Sequence, residues 1–315
     1  SALPIIGCVV IMPDDTFLQK FHNLASADDE VRCRAAQGIV RALLSGKLGE
    51  DELPYTVRRL VRGVQSSRRF CRQGFSLALA ELLQVMPNQL PTVLQLLDKT
   101  SELQSGLRAN EQKDRLLGRT FVYGAILQAG CLQTHSKGLD GVIVKLGRGL
   151  WQLYSARKYL NASSMCLLKE VCAELCASGR HSDVGEVVSH WSLDQTLDGT
   201  GCGFDLLDAN MMSLVLSLRV AYEECEKKPT SWPSCVRKDI LKDNVSVVAR
   251  NVGQVLASCP VTDVVPPVLE DFCRWWLKPH KGRDPIALQE QIWPALEEGL
   301  FPEGQAAPSM AQALR

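Results

Sequence analysis

Apolar residues recur along this chain at intervals of three and four, the period of one face of an α-helix. The pattern is sharpest from Tyr55 to Met86. There Val57, Leu60, Val61 and Val64 form one stripe, and Cys71, Phe75, Ala78, Leu79, Leu82 and Met86 form a second. A very short polar joint separates the two stripes. Ser66 or Ser67 in that joint can offer a side-chain oxygen to the unpaired N–H groups of the second helix.

The same period continues on both sides. Pro13, Asp14 and Asp15 read as a helix start, followed by an apolar face of Phe17, Leu18, Phe21 and Leu24. Residues 26–30 open a second helix with Val31, Ala35, Ile39, Ala42 and Leu43 inward, ended by Ser45 and Gly46. Asp51, Glu52 and Pro54 then begin the hairpin of the opening stripes. After Pro87 come a shorter helix with Leu90, Val93, Leu94 and Leu97, and another over 111–129 with Leu116, Leu117, Thr120, Phe121, Gly124 and Leu127 facing one way. Val142, Ile143, Leu146, Leu150 and Leu153 mark a helix over 139–154, and Met165, Leu168, Val171, Cys172 and Leu175 one over 165–176.

The second half is less regular. A short helix is expected over 181–191, then a loop holding Gly199, Gly201 and Gly203, then a strong helix over 206–225. Val236 to Leu256 reads as one long helix with Ile240, Leu241, Val245, Val248, Val252 and Val255 inward. Pro266 and Pro267 start a helix with Phe272, Trp275, Trp276 and Leu277, and a last amphipathic helix runs over 286–300.

No strand alternation follows residue 12, so the expectation is all-α, an α-solenoid of HEAT/armadillo-like helical hairpins. Helix starts near residues 53, 90 and 139 are spaced irregularly but bracket the ~40–47 residues of such repeats. The organisation is an apolar segment at 1–12, helical-repeat regions at 13–192 and 206–301, the Gly-rich loop at 193–205 between them, and a flexible tail at 302–315.

Composition agrees. Hydrophobic residues make up 46% and aromatics only 6%, which suits helix-on-helix packing better than a β-sandwich. Basic and acidic residues both number 35, so any contact with nucleic acid must come from a local patch. The 12 cysteines contain no CxxC pair, and Cys33, Cys71, Cys166 and Cys273 fall on predicted apolar faces, where a thiol behaves as a small hydrophobe. A reducing compartment is expected. No apolar run reaches the ~18 residues of a membrane span. A chain that begins at Ser1 reads as a piece of a longer product.

One local patch stands out. Arg58, Arg59 and Arg62 fill the circumference of the first hairpin helix, and Arg68, Arg69 and Arg72 crowd the start of the second. Cations in a first turn oppose the positive end of the helix dipole. A phosphate or carboxylate partner and plain solvation both account for them, as does internal pairing with Glu81 and the acids at 50–52. No catalytic set is legible: GxSxG and HExxH are absent, and no cofactor or metal is expected. Cys172 and Cys176 with His181 and His190 lack zinc-finger spacing and read as a packed thiol face. The Gly-rich loop has no preceding strand and no GK[ST], so it is a connection and not a phosphate cradle. Trp275 and Trp276 are read as packing, and His22 and His135 as solvent-facing or locally satisfied.

The segment RRLVRGVQSSRRFCRQGFSLALAELL resembles the helical hairpin of the Myb-binding protein 1A family, also called DNA polymerase phi or DNA polymerase V. Arg59, Leu60, Val61, Arg62 and Gly63 match its first part. Arg68, Arg72, Gly74, Phe75, Ser76, Leu77, Ala78, Leu79, Leu82 and Leu83 match its second. Residues 21–40 and the stretch RTFVYGAILQ, 119–128, are similar to the helices before and after it. The likeness covers about residues 17–160 and fades beyond 200. It implies a nuclear or nucleolar α-solenoid scaffold in ribosomal RNA transcription and ribosome biogenesis, binding transcription factors or pre-ribosomal proteins, with rDNA or RNA contact through the arginines. Family members are longer, with an acidic tract and a basic tail, and usually carry an acid where Arg69 stands. The polymerase name does not carry over, because no paired-Asp motif for two-metal chemistry is present. A general helical-repeat adaptor in nucleus or cytosol is the alternative.

Overall fold

The computed structural model describes residues 15–46, 49, 51–102, 105–132, 140–191, 193, 207–238, 241, 244–258, 266–277 and 285–301. The segment 1–12, the glycines of the 193–205 loop, His135, Ile240 and the tail 302–315 lie outside them. Every regular element among the described residues is a helix, so the chain is all-α. None of those helices is long and apolar enough to cross a membrane. The chain divides into two compact units, Ser1–Cys131 and Leu132–Arg315.

The first unit holds three helix pairs: α1 (Asp15–Asn23) with α2 (Asp29–Leu44), α3 (Glu52–Gly63) with α4 (Arg69–Val85), and α5 (Leu90–Ser101) with α6 (Ala109–Gln128). The second helices stack in a row, α2 on α4 and α4 on α6, while α3 packs on α5. Each second helix starts at the same place in a repeat, with N-cap residues Asp28, Arg68 and Arg108 standing forty residues apart. The first two joints also share their hydrogen bonds. Ser26 Oγ accepts the Asp28 N–H and Ser66 Oγ the Arg68 N–H, each at 3.2 Å. Arg32 donates to the Ser26 carbonyl at 2.7 Å, and Arg72 to the Ser66 carbonyl at 2.6 Å. In the third pair Gln112 takes the arginine's place, and its amide donates to the Leu107 carbonyl at 3.1 Å.

Three glycines allow this stacking. A Cβ on Gly74 would lie 1.9 Å from the Leu24 carbonyl oxygen, so α4 rests directly on the backbone that leaves α1. One on Gly118 would meet Gln65 Cγ at 2.6 Å and the Val64 carbonyl at 3.2 Å, the same approach one pair later. Gly63 makes room for the Phe75 ring, 2.0 Å from where its Cβ would be. The core between the layers includes Phe21, Leu24, Ile39, Val57, Leu60, Val61, Leu79, Leu82 and Leu83, all 2% exposed or less.

Several faces differ from the sequence expectation. Leu18 is exposed, whereas Phe17 and Phe21 of α1 and Leu24 just beyond it are buried, with the Phe21 ring against Tyr55 and Phe75. In α2 the buried positions are Ala35, Ala36, Ile39 and Val40, with Val31, Ala42 and Leu43 at the margin. The buried face of α6 runs through Leu116, Val122, Tyr123 and Ile126, leaving Leu117, Thr120 and Phe121 half-exposed. That helix packs against both α4 and α5, which rotates and widens its buried arc. Cys33, Cys166 and Cys273 are exposed, whereas Cys131, Cys172, Cys225 and Cys235 are buried. Helix α2 ends at Ser45 and Gly46 as the sequence suggested, with Gly46 at φ 65° in the left-handed region.

In the second unit, α7 (Asp140–Ala156), α8 (Asn161–Ala177) and α9 (His181–Val188) pack on one another. Trp191 lies against Trp151 and Tyr154, with ring centroids 4.9 and 5.0 Å away. Helix α10 (Ala209–Glu224) packs on α8 and on α12 (Pro267–Leu277), and α11 (Val245–Ser258) on α12 and α13 (Pro285–Leu300). The single long helix expected over 236–256 is interrupted among the described residues, which leave the helix at Lys238 and at Asn244, between the four-residue helix Ser234–Arg237 and α11. The backbone carbonyl of Asn244 accepts the Val248 N–H at 2.9 Å, the first bond of α11. Asp271, 2% exposed, accepts from Lys169 Nζ and Ser213 Oγ and so ties α12 to α8 and α10.

Candidate functional site

The α3–α4 joint sorts its six arginines by what holds them. Arg72 is inward, with a side chain 13% exposed. It bonds the Ser66 carbonyl, lies 3.5 Å from Asp114 of α6, and sits over the Phe121 ring at 6.0 Å. Arg59 lies over the Phe21 ring at 4.5 Å and donates to the Tyr55 hydroxyl. Both therefore act in packing. Arg58, Arg62, Arg68 and Arg69 are exposed, and no described acid pairs with them. Of the internal partners the sequence offered, Glu50 lies outside the described residues, and Glu81, Asp51 and Glu52 pair with none of the six among them; Asp114 is the acid the fold supplies.

The local electrostatics differ sharply from those of the equivalent joint at α2. There Asp28 caps the helix, accepting the Glu30 N–H at 2.8 Å, and Asp29 and Glu30 complement the dipole. At α4 the N-cap is Arg68, neither serine, and it accepts nothing from the first turn, which contains no acid. Exposed Arg68 and Arg69 thus stand at an uncapped positive helix end, and exposed Arg62 and Arg58 lie in the last turn of α3 and one turn before it. Such an arrangement can hold carboxylate or phosphate oxygens, since each guanidinium offers a planar fork of donors.

A second feature, which the sequence did not show, lies within the second unit. Helices α8 and α10, with Pro267 and Arg274 of α12, line a largely apolar groove of about 1080 Å³. Cys225 Sγ stands 3.3 Å from His181 Nδ1 at one end of it. Burial pushes the Cys172 thiol well above its ordinary range and that of Cys176 up to about 12. Both are protonated at neutral pH, which makes them poor nucleophiles and poor metal ligands. Among the described residues no group of three or more His, Cys, Asp or Glu side chains is placed to hold a metal ion.

The model of the DNA polymerase phi family matches residues 55–220, beginning at the first turn of the arginine hairpin. The chain belongs to the DNA polymerase phi family. Its relatives include the rDNA transcriptional regulator pol5 of Schizosaccharomyces pombe, 33% identical over 127 residues, which is 40% of this chain and 13% of that protein. Myb-binding protein 1A of Rattus norvegicus is 31% identical over 124 residues, 39% of this chain and 9% of the relative. A Myb-binding protein 1A-like protein of Danio rerio is 36% identical over 76 residues, 24% and 6% of the two chains. The aligned stretches thus span a small part of each relative. No solved structure matches. Within the family segment, the packing found here gives Gly63 and Gly74 their reason: one admits the Phe75 ring and the other the Leu24 carbonyl.

Proposed function

We propose that this chain acts as a non-enzymatic helical-repeat scaffold in the nucleus and nucleolus, serving ribosomal RNA transcription and ribosome biogenesis. Its stacked pairs are HEAT/armadillo-like, and its partners are transcription regulators or pre-ribosomal proteins, with nucleic-acid contact through Arg58, Arg62, Arg68 and Arg69. The observation that carries this reading is the family match that opens on the arginine hairpin. The names of the relatives, an rDNA transcriptional regulator and Myb-binding proteins, support a regulatory role. The forty-residue recurrence of helix starts supports the repeat reading. The apolar groove beside α8 favours a second reading, a general protein-binding adaptor with the same fold.

A pull-down from nuclear extract, with and without nuclease, separates the two. The scaffold reading expects pre-ribosomal and rDNA-transcription proteins, part of them lost after nuclease treatment. Capture of only unrelated cytosolic or nuclear proteins, unchanged by nuclease, would support the adaptor and remove the scaffold.

A further inference from the structure

One aromatic ring at the arginine joint is out of place for packing alone. Phe17, Phe21, Phe75 and Tyr123 of the first unit are 7% exposed or less; Tyr55 is 37% exposed with its hydroxyl held by Arg59, and Phe70 in the first turn of α4, which has no polar tip to hold, is 43% exposed. It follows directly on Arg68 and Arg69, both exposed. The Arg32 guanidinium lies over its ring at 5.3 Å from the centroid. Arg32 is itself fixed by the Ser26 carbonyl and Asp29, so the ring is held from the α2 side by an immobile group.

We propose that the α3–α4 joint binds single-stranded nucleic acid, with Phe70 stacking a base and Arg68 and Arg69 holding the adjoining phosphates. This deepens the arginine contact of the proposed function and rests on it. An acidic peptide needs the guanidinium groups but has no use for an exposed ring among them. A duplex keeps its bases inside the stack. A single strand uses both features, because every base presents a π-face and every linkage a phosphate. The charge of the neighbouring joints sets the strand's path. Asp28, Asp29 and Glu30 at the start of α2 repel it. On the other side, at the start of α6 next in the row, the exposed cations Arg108 and Lys113 outnumber the exposed Glu111, whose carboxylate is engaged by the Arg108 N–H. The strand runs from Phe70 toward α6.

The test is fluorescence anisotropy of labelled twelve-residue oligouridylate and oligothymidylate, a duplex of the same length, and an oligoglutamate peptide, each titrated with the whole chain. Binding of either single strand is expected, and the tighter of the two identifies the sugar. Phe70→Ala weakens it about tenfold or more with the salt slope unchanged, the size of one base stack, whereas Phe70→Trp retains it. Arg68→Ser with Arg69→Ser weakens binding and lowers the salt slope by about 0.7 per lost contact. If Phe70→Ala unfolds, Phe70→Leu keeps the apolar cover over Arg32 and still removes the aromatic face. Unchanged affinity in folded Phe70→Ala or Phe70→Leu overturns the stacking role while leaving the arginine contact standing. Preference for oligoglutamate or duplex over both single strands overturns the assignment of ligand class.

Discussion

Replacing Gly74 with Ala adds one methyl group at the point where α4 rests on the backbone leaving α1. The new Cβ would lie 1.9 Å from the Leu24 carbonyl oxygen and 2.8 Å from its carbon. An unstrained contact needs well over 3 Å, so α4 has to retreat by more than about 1 Å along its packing with α2. Overpacking of this kind costs about 1–3 kcal/mol, and a rigid backbone oxygen places Gly74→Ala at the upper end. The gain in helix propensity offsets about 1 kcal/mol of that. The net expectation is a loss of about 2 kcal/mol. Gly38→Ala is the matched control, because its Cβ would meet only the flexible end of Lys20, Cε at 3.1 Å and Cδ at 3.2 Å. That side chain swings aside, and Gly38→Ala is neutral or stabilising by up to about 1 kcal/mol. Urea unfolding followed by far-UV circular dichroism measures both. Equal stability of Gly74→Ala and the wild type, or equal losses in the two variants, would refute the close-approach reasoning.

Three further outcomes follow from other parts of the fold. Arg68→Asp places a carboxylate where Asp28 caps α2 in the preceding pair, so it raises stability by about 0.5–1 kcal/mol while weakening capture of a polyanion; a drop in melting temperature contradicts the capping argument. Asp271→Ala leaves Lys169 without its buried partner and costs about 3 kcal/mol, held to the low end of such losses because the Lys169 side chain keeps 23% exposure. In a double-mutant cycle with Lys169→Ala the two losses are less than additive; simple additivity means the pair does not couple. The raised thiols set an alkaline limit. Burial favours the neutral form of Cys172 and Cys176 in the folded state, with Cys176 at about 12 against an ordinary 9.0. Their contribution is full below about pH 9 and is lost as pH rises toward 12, since the unfolded chain ionises first. The urea midpoint therefore falls above about pH 9, and Cys176→Ala flattens that fall; an equally steep fall in the variant assigns it to other groups.

Helix existence was legible because each helix turns one apolar face onto its neighbours, as Val57, Leu60, Val61 and Val64 show at 0% exposure. Faces were less legible wherever a helix meets two neighbours, as α6 does between α4 and α5. The forty-residue repeat was hidden because its fixed points are helix starts with different side chains, Asp28, Arg68 and Arg108, doing different electrostatic work at one position. The arginines could be named from sequence but not sorted. Arg72 turns inward because its Nη1 finds the Ser66 carbonyl six residues back, and the same spacing links Arg32 to Ser26. Reading those two Ser-x5-Arg spacings together would have revealed both the repeat and the inward arginine. Phe70 lies off the apolar stripe of Cys71, Phe75 and Ala78, a sign of exposure that the sequence carried but that was not drawn out. The groove beside α8 joins helices far apart in sequence, so no local pattern marks it.

The most direct test of the arginine joint as a contact surface is a paired measurement on the variant Arg58→Ser, Arg62→Ser, Arg68→Ser, Arg69→Ser. Its melting temperature is compared with the wild type alongside its capture of partners from nuclear extract. Exposed arginines without internal partners predict a melting temperature close to that of the wild type, each surface change being worth within about 0.5 kcal/mol, together with a clear loss of capture. Undiminished capture, or an unfolded variant, would contradict the central claim.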